Sequence, residues 1–192
     1  NNRRKALERV YHARKADPAP ISGKDALLMM QIAFFDDPQR CTDMANTLAA
    51  ELEQRIKDGV GVAAAGTKRI MLAGTPMAIP NWKMHHIVET SGAVVVCEEC
   101  CTGTRYFEHQ VDETPTTASE QIMALAQLYM KNNCACFTPN AGRIDDLLRL
   151  CREYKVDGVI DVNLKFCTLY DTESRDVQYA LKEAGIPSIH IE

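Results

Sequence analysis

Residues 94–108 read VVVCEECCTGTRYFE, which sets Cys97, Cys100 and Cys101 within five positions, directly after a β-branched run. Three more cysteines, Cys134, Cys136 and Cys167, fall in CACFTPN and NLKFCTLY, whereas Cys41 and Cys151 sit in amphipathic stretches. Free cysteine on an apolar face behaves as a small hydrophobe, so Cys41 and Cys151 are read as packing, and Cys97 at a strand end is open to the same reading. Cys100, Cys101, Cys134, Cys136 and Cys167 are better suited to holding metal. An iron–sulfur cluster needs several soft thiolates converging in a shielded pocket, and loops from separate strands can deliver them. Zinc competes, because tetrahedral thiolate sites use CxxC pairs such as Cys97 with Cys100. Spacing alone leaves both metals open.

Other side chains in the same stretches have simpler readings beside the chemical ones. Lys83, Arg105 and Lys165 are either solvated surface charges or positive charge beside an anionic cluster or substrate. His85 and His86 follow Trp82 on an expected helix, so only one can face the core, and they are read as filling core and surface. Glu98 and Glu99 are expected to bond backbone amides or water, and neither is assigned as an acid or base. Gly74 and Gly103 permit tight turns at strand ends. AGTPMAIP carries no glycine-rich phosphate fingerprint, so nothing there supports a nucleotide site of the dinucleotide or P-loop type.

These residues need a scaffold, and the hydrophobic pattern supplies one. Residues 1–60 are helical in pattern. Ala6, Leu7, Val10 and Tyr11 recur at helical spacing, Ser22 can cap GKDALLMMQIAFF, and Leu48, Leu52 and Ile56 line a helix that starts at Pro38 and ends at Gly59. GVGVAAAGT at 59–67 reads as a linker. From residue 68 onward strand and helix alternate: KRIMLAG, a helix over 80–90, AVVVC, a helix over 118–131, an apolar stretch at 134–137, GRIDDLLRLCREYK, DGVIDVNL, a helix from Thr172 to Gly185, and IPSIHI. Right-handed crossovers then give an α/β fold, a flavodoxin-like or Rossmann-like open parallel sheet with helices on both faces, preceded by a helical lead-in. Ligands of such sheets gather at the carboxyl ends of the strands, and the loops carrying the cysteines lie there.

Composition narrows the classes. The 192 residues carry 22 Lys and Arg against 26 Asp and Glu, a net charge of −4, which gives no reason to expect nucleic acid or an anionic membrane as partner. No apolar run approaches a bilayer-spanning length, and NNRRKALERV has no signal-peptide core behind it. Adjacent thiols such as Cys100 and Cys101 pair poorly, so a reducing, cytoplasmic setting with free thiols is expected.

The ordered set PNWKMHHIVETSGAVVVCEECCTGTRYF, CACFTPN, EYKVDGVIDVNLKFCTLYDTE and GIPSIHIE resembles the 2-hydroxyacyl-CoA dehydratase component D and benzoyl-CoA reductase subunit family, in particular the branch of double-cubane cluster proteins. The lead-in RRKALERVYHARKADPAPISG resembles the start of the family's C-terminal half. The resemblance implies two flavodoxin-like lobes with a cluster between them, of which residues 68–192 are the C-terminal one; the N-terminal lobe and a closing helix are expected to lie outside this chain, which reads as a fragment. It also implies that Cys167 is the C-terminal-lobe cluster ligand, that Cys101 belongs to the family's CTGxRYF segment near the cluster, and that Cys134 and Cys136 match a CxC-TPN element of the double-cubane-like branch. The implied cofactor is a 4Fe–4S cubane or an 8Fe–9S double cubane. The implied chemistry is low-potential reduction, with one electron delivered by an ATP-dependent iron–sulfur activator protein. In the dehydratases it enters a CoA thioester to form a ketyl radical and expel water; double-cubane members resemble reductases of small molecules. A homodimer or a heterodimer of related subunits is implied as well. A reading of a different class remains beside it: a non-catalytic zinc-holding or structural domain, inactive as an isolated fragment.

Overall fold

A computed structural model describes residues 1–192. Four strands, β1 Lys68–Gly74, β2 Ala93–Glu99, β3 Gly158–Val162 and β4 Ser188–Ile191, pair in parallel in the order β2-β1-β3-β4. The helices are α1 Asn2–Ala13, α2 Gly23–Ile32, α3 Pro38–Lys57, α4 Lys83–Thr90, α5 Thr104–Phe107, α6 Ala118–Tyr129, α7 Ala141–Glu153 and α8 Thr168–Glu183. The α/β fold with an open parallel sheet and a helical lead-in is therefore present. None of the helices is long and apolar enough to cross a membrane.

Local chemistry explains most boundaries. Ser22 Oγ accepts from the Asp25 amide at 3.0 Å and starts α2. Asp37 accepts from the amides of Gln39 and Arg40 ahead of Pro38, which lacks an amide hydrogen the first turn could not use. Thr117 and Glu120 form a capping box on α6. Two expectations need correction, the starts of the helix over 80–90 and of the last helix. The 80–90 helix begins at Lys83, because Asn81 and Trp82 close a turn onto the carbonyls of Ala78 and Pro80. Residues 134–137 form a turn closed by the Phe137 amide on the Cys134 carbonyl at 3.0 Å. The last helix starts at Thr168, four residues before Thr172, so the Cys167 loop is shorter than the sequence pattern indicates.

Both sheet faces are covered. Met71, Ala73, Val94, Val96 and Val159 pack against Leu147, Leu150 and Tyr154 of the α7 segment and Val177 and Leu181 of α8. Leu72, Val95 and Val162 pack on the other side against Met84 and Val88 of α4 and Leu27 of α2. The lead-in buries its own core, with Leu7, Val10, Tyr11, Met30, Cys41 and Leu52 around Phe107 of α5. Arg69 at the start of β1 ties that layer to the sheet, donating to the carbonyls of Arg14, Ala16 and Tyr154.

A bulge in β2 decides which way its last residues face. Ile70 pairs with Val95, but Met71 pairs with Cys97, leaving Val96 as the extra residue. Val96 and Cys97 consequently share the α7–α8 face, Glu98 turns to α4, and Glu99 turns back to α7. An unbulged strand would reverse the last three.

Candidate functional site

Four parallel strands deliver Gly74, Glu99, Val162 and Ile191 to one edge of the sheet. The chain folds back tightly there. Gly74 has φ +106°, and a Cβ at that position would lie 2.4 Å from the Val162 carbonyl oxygen. A Cβ on Gly103 would lie 2.2 Å from the Glu98 carbonyl oxygen, so only glycine lets the CTGT turn return onto β2 and begin α5 at once. That return carries Arg105 back under the edge.

The structure sorts the eight thiols, all free. Cys41, Cys97, Cys100 and Cys151 are buried. Burial pushes the Cys100 thiol up to about 12 and the Cys151 thiol up to about 11, and it drives Cys97 well above the ordinary thiol range. Buried thiols of this kind are poor nucleophiles and fill the core as small apolar groups. Cys101, Cys134 and Cys136 line one cavity of about 430 Å³, together with Arg4, Arg105, Asn132 and the aromatic rings of Phe34, Tyr106, Tyr129 and Phe137. Cys167 is half-buried at the start of α8, on the same sheet edge, but does not line that cavity. A larger cavity, about 940 Å³, lies elsewhere, between α8 and the start of β4, and is lined by no cysteine.

Cys134 is chemically distinct. Burial opposes its ionisation, yet hydrogen bonds with the Cys136 segment and Tyr170, with Arg105 nearby, bring the thiol below its ordinary value. Cys136 moves the other way, chiefly through its bond with Cys134, so this pair ionises at one sulfur first. Tyr170 Oη lies 3.7 Å from Cys134 Sγ and accepts from Arg105, whose guanidinium also holds Glu99. Either group can donate in the Tyr170–Cys134 contact while the sulfur is a thiol, and once Cys134 ionises only the phenol can. Arg143 extends the network, reaching Glu99 at 3.3 Å and Glu173 at 2.7 Å.

On the opposite face Glu98 is wholly buried. Arg14 grips both its oxygens, at 2.7 and 2.8 Å, and His85 Nε2 is 2.9 Å from Oε1. Burial alone would raise the Glu98 carboxyl; Arg14, seconded by His85, outweighs it and holds the carboxyl at about 2. Thus His85 occupies the core and His86 the surface, Glu98 pairs with Arg14, and Glu99 pairs with Arg105 and Arg143. Arg105 is buried, while Lys83 and Lys165 are exposed.

A family described as 2-hydroxyglutaryl-CoA dehydratase, D-component, matches residues 1–192. The chain belongs to that family. Among curated proteins, YjiM of Escherichia coli (strain K12), whose name is that of a proposed dehydratase subunit, is 32% identical over 194 residues. That match takes in 100% of this chain and 49% of YjiM, so this D-component-family chain spans about half the length of the curated relative.

The donor set of this D-component-family chain suits a thiolate-held cluster. Three reachable sulfurs face one cavity, two arginines line it with positive charge, and aromatic rings wall it. The sulfurs are not gathered as a single-ion site: the one set of three or more ligand atoms lying within 4.8 Å of one another is Asp171, His190 and Glu192. Sequence reasoning passed over Arg14, Arg143 and Tyr170. For the arginines a signal was present, since Arg14 continues the stripe of Leu7, Val10 and Tyr11, and Arg143 heads that of Leu147 and Leu150. Charge on an apolar stripe implies a buried partner. Tyr170 gave none, because its helix was expected to start after it.

Proposed function

We propose that this chain is the C-terminal lobe of an iron–sulfur dehydratase or reductase, with Cys101, Cys134, Cys136 and Cys167 as the cluster ligands it contributes. The convergence of Cys101, Cys134 and Cys136 on one arginine-lined cavity carries the reading, together with membership of the D-component family. When bound, such a cluster supplies a one-electron store at low potential that no side chain provides. The chain's own residues ligate, orient and shield. Cys134 presents the readiest thiolate, Tyr170 directs a hydrogen bond at it, and Arg4 and Arg105 offset the negative charge that gathered thiolates bring. Phe34, Tyr106, Tyr129 and Phe137 keep the cavity partly dry. Within the family, the resemblance of its CACFTPN element supports reading the chain as a member of the double-cubane branch.

The whole protein is proposed to be cytoplasmic, to close the site with a second lobe outside this chain, to pair as a homodimer or with a related subunit, and to receive electrons from an ATP-dependent iron–sulfur activator. Its substrate is then a 2-hydroxyacyl-CoA thioester or a small reducible molecule. The zinc alternative built on Cys97 and Cys100 has less support, since no third ligand atom gathers with those two sulfurs.

The test is anaerobic purification of the full-length protein, with iron, zinc and acid-labile sulfide measured per chain. Iron with matching sulfide is expected, and about four or about eight irons per chain separates the single from the double cubane. Zinc without sulfide would sink the electron-transfer reading.

A further inference from the structure

A second cluster of ligating side chains stands at the carboxyl edge, apart from the thiols. His190 on β4 pairs in register with Asp161 on β3, and parallel pairing puts both side chains on the same face. Asp161 is 1% exposed. Its Oδ2 lies 3.2 Å from His190 Nδ1, and its Oδ1 has no hydrogen-bond partner, with only Arg143 at 3.9 Å. The other ring nitrogen, Nε2, faces outward and lies 3.7 Å from Asp171 Oδ1, in the first turn of α8. Glu192, directly after β4, brings a further carboxylate, and the three ligand atoms lie within 4.8 Å of one another.

Neither Asp171 nor Glu192 has a lysine or arginine partner, and each brings a carboxylate oxygen within 4.8 Å of a His190 ring nitrogen. Ligands bound at about 2.1 Å to one ion stand roughly 3–3.5 Å apart, close to the Asp171–His190 separation. The buried carboxylate behind Nδ1 is the usual outer partner of a metal-binding imidazole, because it fixes the ring and leaves Nε2 as the lone-pair donor.

We propose that Asp171, His190 and Glu192 bind one divalent cation of mixed oxygen and imidazole preference, of the Mn²⁺ kind, with Asp161 as the outer-shell partner that orients His190. One nitrogen and two carboxylate oxygens favour such an ion over a soft, thiolate-seeking one. The site owes nothing to the thiol cavity, so it stands whether or not a cluster is held there.

The probe is Mn²⁺ alone, titrated into the purified protein while the free-ion electron paramagnetic resonance signal is followed. One Mn²⁺ per chain is expected, retained when Cys101, Cys134 and Cys136 are replaced by serine. Asp161→Asn is expected to weaken binding by about 10–100-fold. Asp171→Asn, at an exposed position, and His190→Ala are expected to abolish it. Should His190→Ala fail to fold, by far-ultraviolet circular dichroism, Asp171→Asn decides alone. Titrations of the wild type and Asp171→Asn that superimpose, whether both bind or neither does, overturn the proposal.

Discussion

Replacing Glu98 by glutamine preserves its shape and removes its charge, and the geometry around it makes the consequence calculable. Arg14, His85 and Glu98 are all 0% exposed. Arg14 bonds both carboxylate oxygens and the Val95 carbonyl, and His85 bonds Oε1, so no water replaces the lost charge. Glu98→Gln leaves the guanidinium buried and uncompensated, a change that costs about 3–5 kcal/mol. With a urea slope of about 2 kcal/mol per molar, the unfolding midpoint falls by roughly 1.5–2.5 M. The assay is urea unfolding followed by circular dichroism under reductant, which keeps the free thiols from cross-linking. Removing both partners, in Arg14→Met with Glu98→Gln, should recover much of the loss, because no lone charge then remains in the core. Acid gives an independent check. The Glu98 carboxyl falls from its ordinary 4.5 to about 2 in the folded chain. A depressed carboxyl contributes stability that is whole above its unfolded value and is lost as pH falls through the folded one. The gap between wild type and Glu98→Gln should therefore be constant above about pH 4.5 and shrink towards about pH 2. A loss below about 1 kcal/mol, or a gap insensitive to acid, would refute the buried pair.

Two further outcomes follow from the site and its edge. Alkylation mapped by mass spectrometry near neutral pH should modify Cys134 ahead of Cys136 and leave Cys97, Cys100 and Cys151 untouched; Tyr170→Phe, by removing the bond to Cys134 Sγ, should move the Cys134 rate profile to higher pH. Identical profiles with and without the phenol would show that it does not act on the sulfur. Gly74→Ala must strain a backbone at φ +106° and press a methyl on the Val162 carbonyl, so a loss of at least about 1–3 kcal/mol is expected by thermal or urea unfolding.

What could be read from the residues in advance divides along physical lines. Capping by Ser22, the start at Pro38 and the stop at Gly59 depend on neighbours within four residues, and all three stand as expected. Four apolar runs gave four strands, because alternation and β-branching are local too. The start of α8 was misplaced since Thr168, Leu169 and Tyr170 carry no cap signal that outranks the turn-like NLKFC before them. At the site, the cysteines were conspicuous by type, but which of them are reachable depends on the third dimension. Cys100 and Cys101 are neighbours in the chain, and one is sealed while the other opens on the cavity. Nor does any short-range pattern announce that Asp161 and His190, 29 residues apart, are strand partners.

The β2 bulge shows how much rests on one extra residue. By placing Val96 and Cys97 on the same face, it sends Glu98 to Arg14 and His85 and sends Glu99 to Arg105 and Arg143. Were the strand regular, Glu99 would point at His85 and Glu98 at Arg143, with Cys97 displaced from the core it now fills. The Glu99–Arg105 pair is what holds Arg105 against Tyr170, and Tyr170 is what reaches Cys134. A packing irregularity between Ile70 and Met71 is thereby connected, through the side chains of Glu99, Arg105 and Tyr170, to the acidity of a thiol on another loop. The two glutamates of the CEECC run are best understood as the fasteners of that edge: each anchors one side of the sheet to a buried arginine, and the thiols hang from the edge they fix.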